Sequence, residues 1–413
     1  PGLAGHWVGQ WVRDGSALDV SVDFARSDSG YAGRFGSDAL RVLDIPFRAV
    51  TLAADSVHWL LVGDETTSRF DGTLAGDTLR GVYHEGEAPG TFLLHRAAER
   101  ASPYATEEVH FGNGAVTLAG SLLVPPGARA HPAIVFLHGS GAESRYASQF
   151  LADRFARAGF VALIYDKRGV GGSTGDWQQA SFQDLAADAL AGIRMLAADH
   201  RVRADAIGIH GHSQGGTIAP LVASQYGKLA FVIGSSAGGT SLLEGERYSY
   251  ANYLGVPRMH GEDSLRAAGY IDVLVRTAYA GAPRAALDSA VAANAGAKWF
   301  ETPPPPTSSW WAMSRANAAY DPAAYWRQVR APVLLVYGEK DERVPVLPSM
   351  RNIEAALRAG GNTQISMRIY PGADHTLRIA APADTRFHWP RNPPGYPQLL
   401  TVWAESKSRA RRR

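Results

Sequence analysis

The stretch Gly211-His212-Ser213-Gln214-Gly215 holds the residue types and spacing most suited to covalent chemistry. A serine hydroxyl is a weak nucleophile. It attacks a carbonyl only when held exposed, beside a base and beside donors for the oxyanion that develops. An apolar run at 207–210 leads into the pentapeptide and a helix-like run leaves it, with Ser213 at the apex. That strand–turn–helix context gives a G-x-S-x-G sequence its chemical meaning. Near-absent side chains at Gly211 and Gly215 let the chain turn so tightly, and Gly216 lets the new helix pack close to the strands. The helix N-terminus would add the positive end of its dipole where negative charge builds up. A second pentapeptide, Gly234-Ser235-Ser236-Ala237-Gly238, fits the same pattern after the apolar run 229–233, so Ser236 is a rival nucleophile.

A nucleophile of this kind needs an oxyanion site, an acid and a base. Phe136-Leu137-His138-Gly139-Ser140-Gly141 follows an apolar run, where a loop supplies one backbone donor. Ser140 is the candidate, with Gly141 next, and Gln214, the residue after the nucleophile, is the second donor. Late in the chain, 333–337 runs into Gly338-Glu339-Lys340-Asp341-Glu342. An acid here would fix a histidine tautomer and stabilise the imidazolium. Asp341 is the candidate; Glu339 and Glu342 are its rivals. The run 365–370 then leads to Pro371-Gly372-Ala373-Asp374-His375, and His375 is the candidate general base. Among rival histidines, His138 lies on the oxyanion loop, and His210 and His212 are too near Ser213 in sequence to swing onto it. The order Ser, Asp, His also favours Ser213 over Ser236, because the nucleophile should close the third strand counted from the oxyanion loop. The Gly-rich stretch Asp166-Lys167-Arg168-Gly169-Val170-Gly171-Gly172-Ser173 lacks the spacing of a nucleotide loop. It is expected to carry a buried Asp166–Arg168 network bracing the floor of the site.

The elements that must hold these groups follow from periodicity. Residues 1–100 read as a separate antiparallel β domain, a small sandwich or barrel. The run 18–24 alternates apolar and polar, and similar runs recur at 30–35, 57–62, 68–74, 78–83 and 91–95, between turns such as Gly63-Asp64. Trp7 and Trp11 share one face of a strand and read as core. A linker over 97–106 precedes a hairpin about Asn113-Gly114. From 132 onward, a continuous apolar run at 133–137 and further strand-like runs at 160–165, 207–210, 229–233, 333–337 and 365–370 alternate with helical runs. That pattern gives a mostly parallel sheet with helices on both faces. Residues 241–326 hold no convincing strand and read as a helical cap inserted into an α/β body made of 107–240 and 327–413. In the cap, Trp299, Phe300, Trp310 and Trp311 are expected to wall a pocket for the substrate.

The run 107–408 resembles the α/β-hydrolase superfamily. The resemblance rests on His138-Gly139-Ser140-Gly141, on Asp166 to Ser173, on Gly211 to Gly215, on Gly338 to Asp341 and on Ala373-Asp374-His375. Within the superfamily it looks like bacterial esterases related to the serine aminopeptidase, prolyl-oligopeptidase and dienelactone-hydrolase-like groups. The β-rich segment looks like the N-terminal domain of some bacterial carboxylesterases, often exported ones. The resemblance implies an α/β-hydrolase fold with a helical cap and a cofactor-independent carboxylesterase acting on small to medium acyl esters. A peptidase or amidase using the same triad is the alternative, and a non-catalytic binding protein on the same scaffold is the rival from another class.

Composition sets bounds on this reading. The 413 residues are 46% hydrophobic and 19% charged with a net charge of +2, an ordinary globular balance that gives no reason to invoke nucleic acid. The one basic run, Arg409-Ala410-Arg411-Arg412-Arg413, reads as a solvated terminus. The absence of cysteine excludes disulfides, a thiol nucleophile and Cys-ligated metal, and no other metal spacing stands out. No apolar run reaches the roughly 20 residues of a membrane span. The chain opens at Pro1 without Met, which fits removal of an upstream signal segment. The expected location is periplasmic or secreted, with the cytoplasm as the alternative. A small-molecule ester is the expected partner, and a homodimer is allowed.

Overall fold

A computed structural model describes residues 2–28, 30–62, 67–98, 102–380 and 391–409. The Gly63-Asp64 turn, part of the 97–106 linker and most of the basic C-terminal run lie outside the described residues. The chain folds as two compact units. The first takes in the described residues of Pro1–Tyr104, Tyr146–Asp153 and Arg378–Pro394; the second takes in those of Ala105–Arg145, Arg154–Leu377 and Gly395–Arg413.

The first unit is an antiparallel sheet of β1 (Gly5–Arg13), β2 (Ser16–Ser27), β3 (Gly30–Ser37), β4 (Val42–Pro46), β5 (Arg48–Ala53), β6 (Ser56–Val62), β7 (Thr67–Ala75), β8 (Thr78–Glu85) and β9 (Ala88–Ala97). The strand order is β4-β3-β2-β1-β9-β8-β7-β6-β5. It is one curled sheet around one core. Strand β5 returns against β3, and Phe47 N–H donates to Gly33 O at 2.8 Å. Along β2, Leu18, Val20, Val22 and Phe24 point inward and their neighbours outward, as period two requires. The core is aromatic. Trp11 stacks on Phe35 at 4.5 Å and Trp59 on Phe70 at 4.9 Å, and Trp7 is fully buried with its indole N–H on Leu3 O. Trp7 and Trp11 are thus core residues.

The second unit is built on β10 (Ala105–Asn113), β11 (Val116–Val124), β12 (His131–Leu137), β13 (Val161–Tyr165), β14 (Val202–His212), β15 (Phe231–Ser235), β16 (Val333–Gly338) and β17 (Ile365–Tyr370). Their order is β10-β11-β13-β12-β14-β15-β16-β17. The β10–β11 hairpin and the β11–β13 pair are antiparallel, and every later pairing is parallel. Each residue of β15 and β16 is buried, which explains their unbroken apolar runs. The chain steps one way from β12 to β13 and the other way to β14. Ligand crevices form at such a switch point, outside the carboxyl ends of the strands. The carboxyl ends of β12 and β14 carry the two candidate segments, 138–141 and 211–215.

The helices are α1 (Tyr146–Arg157), α2 (Phe182–Ala198), α3 (Gln214–Tyr226), α4 (Leu242–Tyr253), α5 (Gly261–Tyr279), α6 (Arg284–Asn294), α7 (Ser309–Ala316), α8 (Pro322–Trp326), α9 (Val346–Ala359) and α10 (Tyr396–Ser408). Helix α2 starts on a capping box, with Ser181 and Asp184 satisfying each other's backbone N–H. Between β15 and β16 the described chain is helical, and α4 to α6 surround a small core of Leu254, Tyr270, Ile271, Leu274, Val275 and Leu287. Tyr320 and Trp326, at the end of this insertion, are buried instead in the core of the sheet. The architecture is the α/β-hydrolase fold with a separate β domain. Among the described residues, no helix is long and apolar enough to cross a membrane.

Candidate active site

Ser213 joins the end of β14 to the start of α3. Its backbone is at φ 54°, ψ −116°, a region that non-glycine residues rarely occupy. Strong local constraints hold it there. Ser213 N–H donates to Ser235 O at 2.9 Å, and Ser213 O accepts from Thr217 N–H at 2.9 Å and Thr217 Oγ1 at 3.1 Å. The glycines are needed for close approach. A Cβ on Gly215 would stand 2.6 Å from Leu137 O and 2.7 Å from His138 O, and one on Gly211 would overlap the Gly215 carbonyl. The elbow is therefore pressed against the end of β12, where the 138–141 loop begins.

The structure brings Ser213, His375 and Asp341 together. Ser213 Oγ lies 2.9 Å from His375 Nε2, and His375 Nδ1 lies 2.9 Å from each Asp341 carboxylate oxygen. A carboxylate only accepts, so Nδ1 carries the proton and Nε2 is free to accept from the serine. The Asp341 side chain is wholly buried. It is held by its own loop: Oδ1 also accepts from Arg343 N–H at 2.9 Å and Val344 N–H at 2.8 Å. From α4, Tyr248 Oη donates to Asp341 O at 2.8 Å, a tie that no local pattern announced. The rival Glu339 is exposed and accepts from Gly372 N–H, and no interaction joins Glu342 to His375 among the described residues.

The three rival histidines are occupied. His138 donates Nε2–H to Tyr165 O at 2.5 Å, and burial holds its pKa down to about 4, so the ring is neutral. His210 Nε2 pairs with Ser235 Oγ at 3.0 Å, and His212 Nε2–H donates to His375 O at 3.0 Å. Ser236 also sits at positive φ, 48°, at the end of the next strand. It is buried, and its hydroxyl donates to His375 O at 2.8 Å. The rival serine thus grips the backbone of His375. Ser236→Ala removes one of the two donors to that carbonyl. The expected result is a loss of about 1 kcal/mol in unfolding free energy and a fall in turnover of no more than about tenfold. Chemical denaturation and steady-state kinetics check both.

On the oxyanion side, Ser140 is exposed and Gly141 follows at φ 90°. Gly139 N–H is taken by Glu143 Oε2 at 2.7 Å. Lys167, unremarkable in the sequence beyond its place in the Gly-rich stretch, is buried here and donates to Gly139 O, Gly141 O and Gln214 Oε1. Asp166 and Arg168 are both buried, but the expected network is split in two, with no bond between their side chains among the described residues. A turn closed by Val170 N–H to Lys167 O sends the two side chains to different partners. Asp166 pairs with Arg145 at 3.0 Å and accepts from Gly172 N–H, while Arg168 forms a fork with Asp188 at 2.7 and 2.8 Å.

The tryptophans Trp299, Trp310 and Trp311 are half-buried against the cap core. Each indole N–H stays within the cap: Trp299 to Asp263, Trp310 to Glu246, and Trp311 to the carbonyls of Pro304 and Pro305. None shares a hydrogen bond or ring contact with Ser213, Asp341 or His375 among the described residues. Trp311 also lines an open cleft of about 660 Å³ with Gln178, Pro305, Ser308 and Arg315. No group of described His, Asp or Glu residues is arranged to hold a metal ion.

A model of the X-Pro dipeptidyl-peptidase (S15) family matches residues 113–373, more than half of the chain. The chain belongs to the S15 family. It is accordingly a hydrolase of the α/β-hydrolase clan. No curated protein matches it. Solved structures similar to this S15 member include an esterase of Pyrococcus furiosus, at 15% identity over 76% of this chain and 95% of that one, with a TM-score of 0.47. A hypothetical protein of Pseudomonas aeruginosa matches at 19% identity over 74% and 95%, with a TM-score of 0.47. A dienelactone hydrolase of Anabaena variabilis matches at 17% over 74% and 96%, with a TM-score of 0.40.

Proposed function

We propose that the protein is a serine carboxylesterase acting on small to medium acyl esters through an acyl-enzyme. The observation that carries this reading is the single hydrogen-bonded line from Ser213 Oγ through His375 to the buried Asp341. On this reading Ser213 Oγ attacks the ester carbonyl carbon, and its proton passes to His375 Nε2. The carbonyl electron pair moves onto oxygen, where the N–H groups of Ser140 and Gln214 receive it; neither has an acceptor within the protein among the described residues. The tetrahedral intermediate collapses, the alcohol leaves with the proton from His375, and water then releases the acid by the same route. Asp341 holds the ring and balances the imidazolium. Trp299, Trp310 and Trp311 are the proposed apolar walls for the acyl group.

A second reading, a dipeptidyl-peptidase, has the family match in its favour. It needs a cap carboxylate to hold a substrate ammonium. Of the four candidate cap acids, three already have other work: Glu244 caps α4, Asp263 accepts from Trp299, and Glu246 accepts from Trp310; the fourth, Glu262, is exposed in the first turn of α5. Burial raises the Glu246 pKa, which weakens it as an anchor for a cation. The ester reading therefore leads. Purified protein should show higher kcat/KM on p-nitrophenyl esters of graded chain length than on X-Pro p-nitroanilides. Faster anilide turnover would reverse the assignment.

A further inference from the structure

Lys167 follows β13, and only 2% of it is exposed to solvent. An ammonium has three N–H donors and no acceptor, so burial is tolerable only if all three are used. They are: Nζ lies 2.8 Å from Gly139 O, 3.0 Å from Gly141 O and 3.0 Å from Gln214 Oε1. The two carbonyls flank Ser140, and the amide belongs to Gln214. These are the two residues whose N–H groups the serine-hydrolase reading gives to the oxyanion. We propose that Lys167 is the positioning residue of the oxyanion hole, tying its two donor segments to one ammonium and setting their separation. This inference rests on the proposed serine-hydrolase chemistry.

The loop needs such a tie. It has no ladder partner, it turns through positive φ at Gly141, and Gly139 N–H is already committed to Glu143. The elbow needs it too, because α3 begins at Gln214 and its first N–H groups have no helical acceptor. A buried positive charge beside both donors also favours the oxyanion over the neutral carbonyl, and nothing has to reorganise during the reaction. Lys167 keeps its proton throughout.

The surroundings of the ammonium make it sensitive to alkali. Glu143 is the carboxylate that supports its charge, and the neutral His138 ring lies nearby. The Trp177 ring faces Nζ at 5.4 Å. Tyr165 and Asp188 share a small cavity with it, and the Asp188 carboxylate is already engaged by Arg168 and Asn113. Burial outweighs Glu143 and lowers the lysine pKa to about 8. Below that pH all three bonds are donated. Above it one N–H is lost, a lone pair faces an acceptor oxygen, and turnover should fall.

The test compares the wild type with Lys167→Met, Lys167→Arg and Gln214→Met on one p-nitrophenyl ester across neutral to alkaline pH. Lys167→Met is expected to lower kcat by about 10²–10³, the usual effect of disturbing an oxyanion donor, with little change in KM. It should also abolish the fall in kcat near pH 8, while Lys167→Arg moves that fall to higher pH. A brace with no role at the oxyanion would not produce that change in the pH profile. Gln214→Met keeps its backbone N–H but loses the acceptor, so kcat should drop by about tenfold or more. This variant carries the test if Lys167→Met does not fold. Wild-type kcat in Lys167→Met or Gln214→Met, or an alkaline fall in kcat that persists unchanged in Lys167→Met, overturns the role of Lys167. A wild type that neither turns over esters nor reacts with a fluorophosphonate instead overturns the underlying chemistry.

Discussion

Replacing Ser213 with alanine is expected to lower kcat for a p-nitrophenyl ester by about 10⁵–10⁶, with KM close to that of the wild type. The size of the effect follows from the absence of a substitute. Ser213 Oγ stands 2.9 Å from His375 Nε2, whereas the hydroxyl of Ser236 donates to the His375 carbonyl. The two serines share the G-x-S-x-G pattern and positive φ, yet only one meets the imidazole. The substitution keeps the elbow: Gly211 and Gly215 still allow the close approach, and Ser213 N–H to Ser235 O is a backbone bond. Stability measured by thermal unfolding should therefore change little. Residual hydrolysis would come from the oxyanion donors and from binding alone. A loss of less than about tenfold would place the nucleophile elsewhere.

The second large effect is expected at Asp341. Asp341→Asn should reduce kcat by about 10⁴ at neutral pH. The carboxylate now accepts from His375 Nδ1–H and from the N–H groups of Arg343 and Val344. An amide oxygen can satisfy the two backbone donors. The amide NH₂ would then face Nδ1 and donate to it, so the ring proton moves to Nε2 and points at Ser213. The base is then in the wrong tautomer, although the fold is intact. Glu339→Gln is the matched control, because its carboxylate serves the Gly372 N–H at an exposed turn. Its turnover should stay within about threefold of the wild type, as expected for a surface site away from the chemistry. If the two substitutions had equal effects, Asp341 would not be the orienting acid.

Much of this site was legible because its key features are encoded locally. Gly211 and Gly215 announce a turn that no side chain could fit, and the structure shows the carbonyls that a Cβ would strike. The buried runs of β12, β13, β15 and β16 reveal themselves as unbroken apolar segments because both sheet faces are covered. Once the strand order is counted, Asp341 and His375 fall after the last two strands. What stayed hidden depends on contacts between distant residues or on irregular backbone. Strands β4 and β5 escaped because Asp44 and Ala49 adopt positive φ and their ladders are broken by shifts, so no alternation is visible. Asp166 and Arg168 look paired because they are two apart, but the turn beside them gives each a remote partner. Lys167 reads as one charge in a Gly-rich loop. Its acceptors come from residues 139, 141 and 214, and no local pattern links them. The same holds for Trp310, whose indole N–H meets Glu246 from another cap helix.

Whether Ser213 is the nucleophile is decided by labelling the wild-type protein with a fluorophosphonate and locating the adduct by peptide mass spectrometry. One modified residue is expected, Ser213, with activity lost in proportion to labelling and no labelling of Ser213→Ala. An adduct on Ser236, or full labelling of Ser213→Ala, would contradict the assignment.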